Sequence, residues 1–379
     1  LFTFFYRFAL GATCTLYVPW LHSIGLTLAQ ISLLNSIFWA GVIAFELPTG
    51  MLADGRGRGF SVTVGALFWG LGALLYSTVR SFYGAVAVEI IISIGAAFVS
   101  GALSAWIADA KDRTEPLRRV YAHGTFITGV ATVLGAVITV PITLATTSSA
   151  FWLVKAVFCL IATFIAYRWM TSSEPERTMS EFEALKHAFA HLKSSPSLRW
   201  AIGVQASTGL FGAFNMYWAL VLLTKINEIQ LSWVWALMYS ALALAGWLVR
   251  SKHGAGLSGS TGMLLSLALG GIPMMLFGIA PTTIVWLILL VAHEVGRGSF
   301  EPFVAAYVAE RVESGYRATY GSLQSFIGSL GMVLTLIVSA LHMSAYDSNL
   351  ETILNWWLWI GLTTTVVTAI LWRFRPKVL

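Results

Sequence analysis

Four ionisable side chains lie in the middle of one long apolar stretch, at His293, Glu294, Arg297 and Glu301. Charged groups are expensive to bury in apolar surroundings, so they face water, a ligand or one another. The spacing from 294 to 297 to 301 is i, i+3 and i+7, which places both carboxylates and the guanidinium on one face of a helix. Such a face can bind a charged solute or exchange a proton. It can also neutralise itself as a ladder of ion pairs.

The composition indicates what kind of protein carries this face. Hydrophobic residues make up 57% of the 379 residues, charged residues only 11%, and the mean hydropathy is +0.77, whereas about a quarter of a soluble domain is charged. Runs of about 20 or more apolar residues can cross about 30 Å of hydrocarbon as helices. The chain has twelve such runs, at 2–21, 31–53, 60–79, 84–108, 120–145, 150–170, 198–224, 229–249, 257–280, 282–309, 320–342 and 352–372. The sequence therefore predicts an all-α integral membrane protein with twelve transmembrane helices.

The basic residues predict the orientation of these helices. Most of the 23 Lys and Arg residues lie in or beside loops on one side of the membrane if the chain starts inside, and only Arg80 and Lys225 fall on opposite loops. The positive-inside rule then places both termini in the cytoplasm. The same bias accounts for the net charge of +6 without a nucleic-acid partner. A short chain with minimal loops is compatible with a bacterial inner (plasma) membrane, and membrane lipids are expected partners.

The longest polar interval, 171–197, predicts the domain boundary. It separates an N-terminal bundle of six helices at 1–170 from a C-terminal bundle of six at 198–379. Within it, apolar residues recur at helical spacing, which predicts an amphipathic helix on the cytoplasmic surface. A plain solvated linker is the alternative. The apolar positions are Phe182, Leu185, Phe189 and Leu192.

The two halves of the chain also contain similar short sequences at equivalent positions. The sequence AWIAD at 105–109, which ends the fourth run, parallels AYVAE at 306–310, which ends the tenth run 201 residues later. A basic loop follows in both places, with Arg119 in one half and Arg317 in the other. Sequence similarity at the ends of equivalent helices indicates an internal repeat of six helices.

A charged, glycine-rich turn between the second and third runs, GMLADGRGRG at 50–59, carries a family resemblance. It resembles the Gly-x-Leu-Ala-Asp-Arg-x-Gly-Arg-Lys loop of the major facilitator superfamily of secondary transporters, although Gly55 and Gly59 replace two basic residues of that pattern. The counterpart in the second half, at 250–259, lacks the acidic residue. The resemblance implies two pseudo-symmetric six-helix bundles that expose a central site alternately to each side. The matching residues are Gly50, Leu52, Ala53, Asp54, Gly57 and Arg58.

This turn could act as a conformational latch at the inner surface. Its glycines permit a tight turn and close helix approach. Asp54 can interact with a helix N-terminus and Arg58 with a carboxylate. We expect Glu46, Asp109 and Glu310 to complete the latch. The alternative is that the arginines simply hold the loop in the cytoplasm.

The resemblance further implies that the first, fourth, seventh and tenth helices line the central cavity. Besides the tenth-run charges, the candidates there for solute binding or proton coupling are Arg7, Glu89, Gln205 and Asn215, with Thr208 close to the stripe of the last two. Each has a structural alternative, such as a side chain that reaches the membrane interface or a hydrogen bond between helices. Lys155 and His123 are interpreted as structural or interfacial. The tryptophans near run ends, including Trp20, Trp152 and Trp357, fit an interfacial belt.

These observations predict a secondary active transporter for a small polar or amphipathic organic solute. The arginines among carboxylates favour a solute with an anionic or zwitterionic group, and Glu294 or Glu301 would couple transport to protons. Export is one direction considered, but the region at 129–141 lacks the Gly-Pro-x-x-Gly-Gly element of many drug exporters, which argues against multidrug antiport. We expect a monomer without metal or cofactor. The alternatives are a membrane enzyme that uses the two glutamates as acid and base, or a sensor or channel on the same scaffold.

Overall fold

The computed structural model describes residues 1–14, 16–26, 28–109, 115–145, 149–171, 181–226, 228–251, 254, 256–280, 282–313, 317–346 and 350–376. Within these ranges the chain is almost entirely α-helical and contains no β-strand. Eleven of the helical segments are long and apolar enough to cross a membrane. The predicted all-α membrane fold is therefore confirmed.

The helices follow one another with short connections. In chain order they are α1 (Phe2–Cys14), α2 (Tyr17–Ser23), α3 (Leu28–Arg56), α4 (Arg58–Tyr76), α5 (Phe82–Ala108), α6 (Leu117–Ala145), α7 (Ala150–Met170), α8 (Glu181–Ser194), α9 (Pro196–Ser207), α10 (Gly212–Leu223), α11 (Glu228–Arg250), α12 (Gly259–Leu276), α13 (Thr283–Ala309), α14 (Arg317–Ala345) and α15 (Leu350–Arg373). A 3₁₀ turn, Thr208–Phe211, joins α9 to α10, and another, Phe277–Ile279, follows α12.

Two predicted runs differ from single α-helices. The first run is divided between α1 and α2, so neither piece alone is long enough to span a membrane. Pro19 lies in the first turn of α2, where its missing N–H is tolerated, whereas inside one continuous helix it would remove a backbone hydrogen bond. The seventh run crosses as α9 and α10 with the 3₁₀ turn between them.

The internal repeat is visible in the helix bounds. Helix α13 begins and ends 201 residues after the corresponding ends of α5. The N-caps repeat as well, because the Ser81 hydroxyl accepts a hydrogen bond from Gly84 N–H and the Thr282 hydroxyl accepts one from Val285 N–H. Each cap satisfies one of the free N–H groups at a helix start.

The chain forms two compact units. Unit 1 comprises 1–113, 130–191 and 312–326, and unit 2 comprises 114–129, 192–311 and 327–379. Helices α6 and α14 therefore each contribute to both units. The division of the chain at 171–197 remains a prediction. The predicted helix within that interval is present as α8.

Three of the tryptophans assigned to an interfacial belt are instead buried. Trp20, Trp152 and Trp357 are at most 4% exposed. Trp152 stacks on Tyr76 with ring centroids 4.2 Å apart, and the Trp357 ring N–H donates to a backbone carbonyl at 3.0 Å. Position near the end of a run does not distinguish an aromatic residue that faces lipid from one that packs between helices.

Candidate functional site

The tenth-run charges lie on α13 in unit 2, where Glu294 and Arg297 form an ion pair. Both Nε and Nη2 of Arg297 donate to the same oxygen, Glu294 Oε2, at 2.9 and 2.5 Å. Glu294 is completely buried, whereas 37% of the Arg297 side chain is exposed. The pair thus joins a fully buried carboxylate to a guanidinium group that is partly exposed.

Two polar atoms beside this pair have no hydrogen-bond partner among the described residues. One is Glu294 Oε1, and the other is Nε2 of the fully buried His293. The other ring nitrogen, Nδ1, lies 2.6 Å from the carbonyl oxygen of Gly270, to which it can donate. Buried polar atoms in native proteins are usually paired, so these two mark a place where a polar ligand or water would be accommodated.

The packing of α13 explains why these side chains are held there. Gly296 lies so close to the backbone of α12 at Leu269 and Gly270 that a Cβ atom would collide with it. This close approach brings His293 within reach of the Gly270 carbonyl. On a neighbouring face Phe214 packs against the His293 ring at 4.4 Å. The imidazole is therefore fixed by α10 and α12 together.

Glu301 lies two turns after Glu294 on α13 and is exposed. It shares a helical stripe with Glu294, as the spacing predicts, but the two carboxylates occupy different environments. Pro302 follows directly inside the helix and removes one backbone hydrogen bond there.

The seventh-run candidates do not form the stripe expected from a continuous α-helix. Gln205 belongs to α9, Thr208 begins the 3₁₀ turn, and Asn215 belongs to α10 and is exposed. A 3₁₀ turn has 3.0 residues per turn instead of 3.6, so it rotates the two halves of the stripe apart. A mid-helix 3₁₀ segment is also a frequent mark of a hinge.

The remaining cavity candidates lie in unit 1. Arg7 on α1 is half-buried, its guanidinium lies 5.7 Å from the Tyr6 ring, and its Nε has no hydrogen-bond partner within the described ranges. Glu89 on α5 is only 2% exposed and accepts hydrogen bonds from the hydroxyls of Tyr17 and Tyr76. It lies inside the protein and not at the outer headgroups, which was the alternative considered from the sequence.

The motif turn contains fewer residues than the apolar runs predict. Helix α3 continues through Arg56 and α4 begins at Arg58, so Gly57 alone separates them. Gly57 has φ = 105°, a backbone conformation that favours glycine. Gly50 lies within α3. One glycine therefore joins the two helices, and Asp54 and Arg58 on either side of it lie 3.5 Å apart.

Asp54 and Asp109 both contact the start of α14 in unit 1. Asp54 Oδ2 accepts hydrogen bonds from the backbone N–H and the hydroxyl of Thr319, both at 2.7 Å. Asp109, the C-cap of α5, forms ion pairs with Arg58 and with Arg317. Asp54 and Asp109, together with Arg58, therefore tie α3, α4 and α5 to the first turn of α14.

Glu46 lies deeper in the same region and is fully buried. Its two oxygens accept hydrogen bonds from serine hydroxyls, Oε1 from Ser325 on α14 at 2.5 Å and Oε2 from Ser100 on α5 at 2.7 Å. Glu310, the fourth acidic candidate for the latch, is exposed beside Arg311 at 3.8 Å.

The second-half counterpart of the motif, at 250–259, also makes contacts, within unit 2. Arg250 lies 3.4 Å from Glu115 and 3.2 Å from Nδ1 of His123. Arg118 donates to the Leu257 carbonyl. This loop lacks the motif aspartate, and the carboxylate near its arginine comes from the segment before α6.

Sequence reasoning missed the partners on α14. Arg317 was noted only as part of the basic loop in the repeat, and Thr319 and Ser325 gave no signal because serine and threonine are common in membrane helices. Among the described residues no three His, Cys, Asp or Glu side chains come together as metal ligands.

The described helices and their buried ionisable groups define a polytopic α-helical membrane protein. The chain belongs to the Major Facilitator Superfamily, whose family model matches residues 1–335. An uncharacterised MFS-type transporter of Methanocaldococcus jannaschii is 27% identical over 112 residues, which is 30% of this chain and 29% of that relative. The chain thus spans less than a third of the length of this curated relative.

Solved structures of the same superfamily share the fold at low identity. The human organic anion transporter MFSD10 matches with a TM-score of 0.75 and 16% identity over 97% of both chains. The Escherichia coli fucose:proton symporter matches with 0.72 and 15% over 99% of this chain and 97% of that one. A bacterial homologue of the iron transporter ferroportin matches with 0.74 and 15% over 98% of each. At these identities the likeness concerns the fold, and it agrees with the predicted twelve-helix architecture.

Proposed function

We propose that this protein is a secondary active transporter that moves a small organic solute with an anionic group by alternating access. The observation that carries the proposal is the α13 ion pair, in which Glu294 is buried and Arg297 is partly exposed. Two of the five guanidinium N–H donors of Arg297 contact Glu294, so three are available within the described structure for a carboxylate ligand. Glu294 would then position Arg297, while His293, Gln205 and Asn215 are candidates for secondary contacts.

The solutes for which the structural neighbours are named suggest the first probes. Those proteins are named for an organic anion, for fucose with a proton, and for iron. We choose benzoate as the organic anion, with fucose and ferrous iron as comparisons. A planar carboxylate matches the fork geometry of a guanidinium, which a neutral sugar cannot do.

The first experiment is a thermal-shift measurement with benzoate on the purified full chain. We expect benzoate to stabilise the wild type and to lose this effect in Arg297→Lys, which keeps the charge but lacks the fork. Arg80→Gln, on an exposed loop, is the matched control and should respond like the wild type. An equal benzoate shift in wild type and Arg297→Lys would remove Arg297 from solute binding.

Counterflow of labelled benzoate into proteoliposomes then separates transport from the other functions considered. A transporter exchanges labelled for unlabelled solute across the bilayer. A sensor binds without exchange, a channel equilibrates without counterflow, and an enzyme changes the solute chemically. Benzoate binding without counterflow would contradict transport.

The contacts at the start of α14 support the latch part of the proposal. Asp54, Arg58, Asp109 and Glu46 would hold one state closed at the cytoplasmic side, and loss of their contacts with α14 would accompany opening. Gly50 and Gly57 would shape the turn, and Glu310 would have at most a peripheral part because it is exposed. Alternating access requires a two-state element of this kind.

The orientation of the chain, its oligomeric state, its membrane and the movement of its bundles belong to the same proposal. Both termini would be cytoplasmic, the protein would be a monomer in a bacterial inner membrane, and the six-helix bundles at 1–170 and 198–379 would move relative to each other around the linker at 171–197.

We further propose protons as the coupling ion. If Glu294 carries the coupled proton, Glu294→Gln retains exchange and loses pH-driven accumulation; unchanged pH-driven accumulation would assign the proton to another group.

A further inference from the structure

Glu89 and Lys155 form the core of a buried polar cluster in unit 1 that the α13 site does not use. Glu89 lies on α5 and is 2% exposed. The hydroxyls of Tyr17 on α2 and Tyr76 on α4 both donate to the same oxygen, Oε1, at 2.5 Å. Three elements of unit 1 thus converge on one carboxyl group. We call Glu89, Lys155, Tyr17 and Tyr76 the Glu89 cluster.

Lys155 on α7 supplies the cation of this cluster. It is 4% exposed, and its Nζ lies 4.5 Å from the Trp69 ring centroid and 5.2 Å from that of Trp152. It also donates to the Thr13 hydroxyl at 3.3 Å. Aromatic faces and a hydroxyl therefore hold the ammonium group.

The carboxyl group and the ammonium group of the cluster interact. Lys155 lies close enough to Glu89 for an electrostatic interaction, and Trp152, beside the ammonium, stacks on the Tyr76 ring that donates to Glu89. Among the described residues, Cys159 on α7 and Tyr6 on α1 are further titratable groups beside the cluster. Helix α3 also packs on α5, but it directs Glu46 to Ser100, three turns away along α5.

The hydrogen-bond arrangement suits a carboxyl group that gains and loses a proton. Because both phenols donate to Oε1, a proton can reside on Oε2 without breaking either hydrogen bond. Uptake converts the carboxylate to the acid by forming one O–H bond, and Lys155 remains an ammonium group. The cluster then passes from net charge zero to +1, and no other bond changes.

Stability alone does not explain such a pair. Replacing a buried ion pair by well-packed apolar residues is often neutral or stabilising, and ionisable groups inside membrane helices are functional candidates by default. We propose that the Glu89 cluster binds the coupled proton of this transporter, with Glu89 as the proton acceptor and Lys155 as its positioning cation. This proposal deepens the proposed function and rests on it, since only a transporter has a coupled ion.

Infrared difference spectroscopy of the purified full chain tests proton binding without a solute. Acidification should produce a carboxylic-acid C=O band that is absent in Glu89→Gln and present in Glu46→Gln, a second buried glutamate with hydroxyl donors. In Tyr76→Phe the band should shift, because one phenol donor is lost while the ring remains. Superimposable spectra of wild type and Glu89→Gln would overturn the proposal. If Glu89→Gln does not fold, an unshifted spectrum in Tyr76→Phe overturns it.

Proteoliposomes test whether this proton is coupled to transport. With labelled benzoate as the probe, Glu89→Gln and Lys155→Met should retain benzoate exchange but lose accumulation driven by a pH gradient. Undiminished pH-driven accumulation in Glu89→Gln would overturn the coupling role. The two proposals fail separately. If the wild type does not exchange benzoate, the proposed solute is contradicted, but the infrared band of Glu89 is still expected. If the band is absent, the proton-binding role of Glu89 is contradicted, but benzoate exchange through the α13 site is still expected.

Discussion

Asp54 caps the start of α14 through Thr319, from which its Oδ2 accepts both a backbone N–H and a hydroxyl hydrogen bond at 2.7 Å. Thr319 is the third residue of α14, so its N–H is one of those without a partner inside the helix. The carboxylate also faces the positive end of the helix dipole. A residue of the motif turn therefore stabilises a helix start 265 residues further along the chain.

Asp54→Asn should slow turnover and leave solute affinity nearly intact. The amide keeps an acceptor oxygen but loses the charge, which should weaken the cap by about 1 kcal/mol, or roughly fivefold in the equilibrium that the latch controls. Benzoate counterflow and the benzoate dependence of the thermal shift measure the two effects. Arg56→Gln, exposed on the same turn, is the control. Parallel loss of binding and transport would contradict a latch.

Ser325→Ala should loosen the first turns of α14 selectively. It leaves Oε1 of the fully buried Glu46 without its serine donor, and an unsatisfied buried acceptor costs about 1–3 kcal/mol. Backbone hydrogen exchange at the start of α14 should therefore become faster. Ser100→Ala removes the donor on α5 and should affect α3 and α5 more than α14. Identical exchange patterns in the two variants would argue against Ser325 as a specific tie.

Gly57→Ala should destabilise the protein because the one-residue turn needs a positive φ. Gly57 combines φ = 105° with ψ = 137°, and a residue other than glycine in such a sparsely populated conformation costs about 1–3 kcal/mol. Gly124→Ala is the matched control, since Gly124 lies inside α6 with open space at its Cβ position, and there alanine should stabilise by about 0.5–1 kcal/mol. Melting temperatures in detergent should therefore move in opposite directions. A fall of similar size in both variants would contradict this account of Gly57.

The fold was largely predictable because membrane-spanning helices are specified by local composition. Runs of about 20 apolar residues are needed to cross a bilayer, and within the described residues eleven such segments are helical. The places where the structure differs from the predicted helices depend on local backbone conformation. The 3₁₀ turn at Thr208–Phe211 leaves hydropathy unchanged, so a stripe counted at 3.6 residues per turn assigned Gln205 and Asn215 to one face.

The candidate site was predictable only where charge and spacing are local. Glu294 and Arg297 are three residues apart, so one helical turn determines their pairing. The partner of Asp109 on α14, Arg317, lies 208 residues away, and no single-sequence pattern fixes such a contact. Trp152 lies one helical turn before Lys155 on α7, but the nearer ring at its ammonium group, Trp69, comes from α4, and no local spacing fixes that contact.

Arg297→Gln should destabilise the protein far more than the double variant Glu294→Gln/Arg297→Gln. The single variant leaves the fully buried Glu294 carboxylate without its cation, and an unpaired buried charge costs about 3–5 kcal/mol. The double variant removes both charges and leaves two amides that can hydrogen-bond to each other, so its melting temperature should lie near that of the wild type. Its benzoate response should nevertheless be absent, because no guanidinium remains. A double variant as unstable as Arg297→Gln would mean that the pair is needed for folding, and a retained benzoate shift would place solute binding elsewhere.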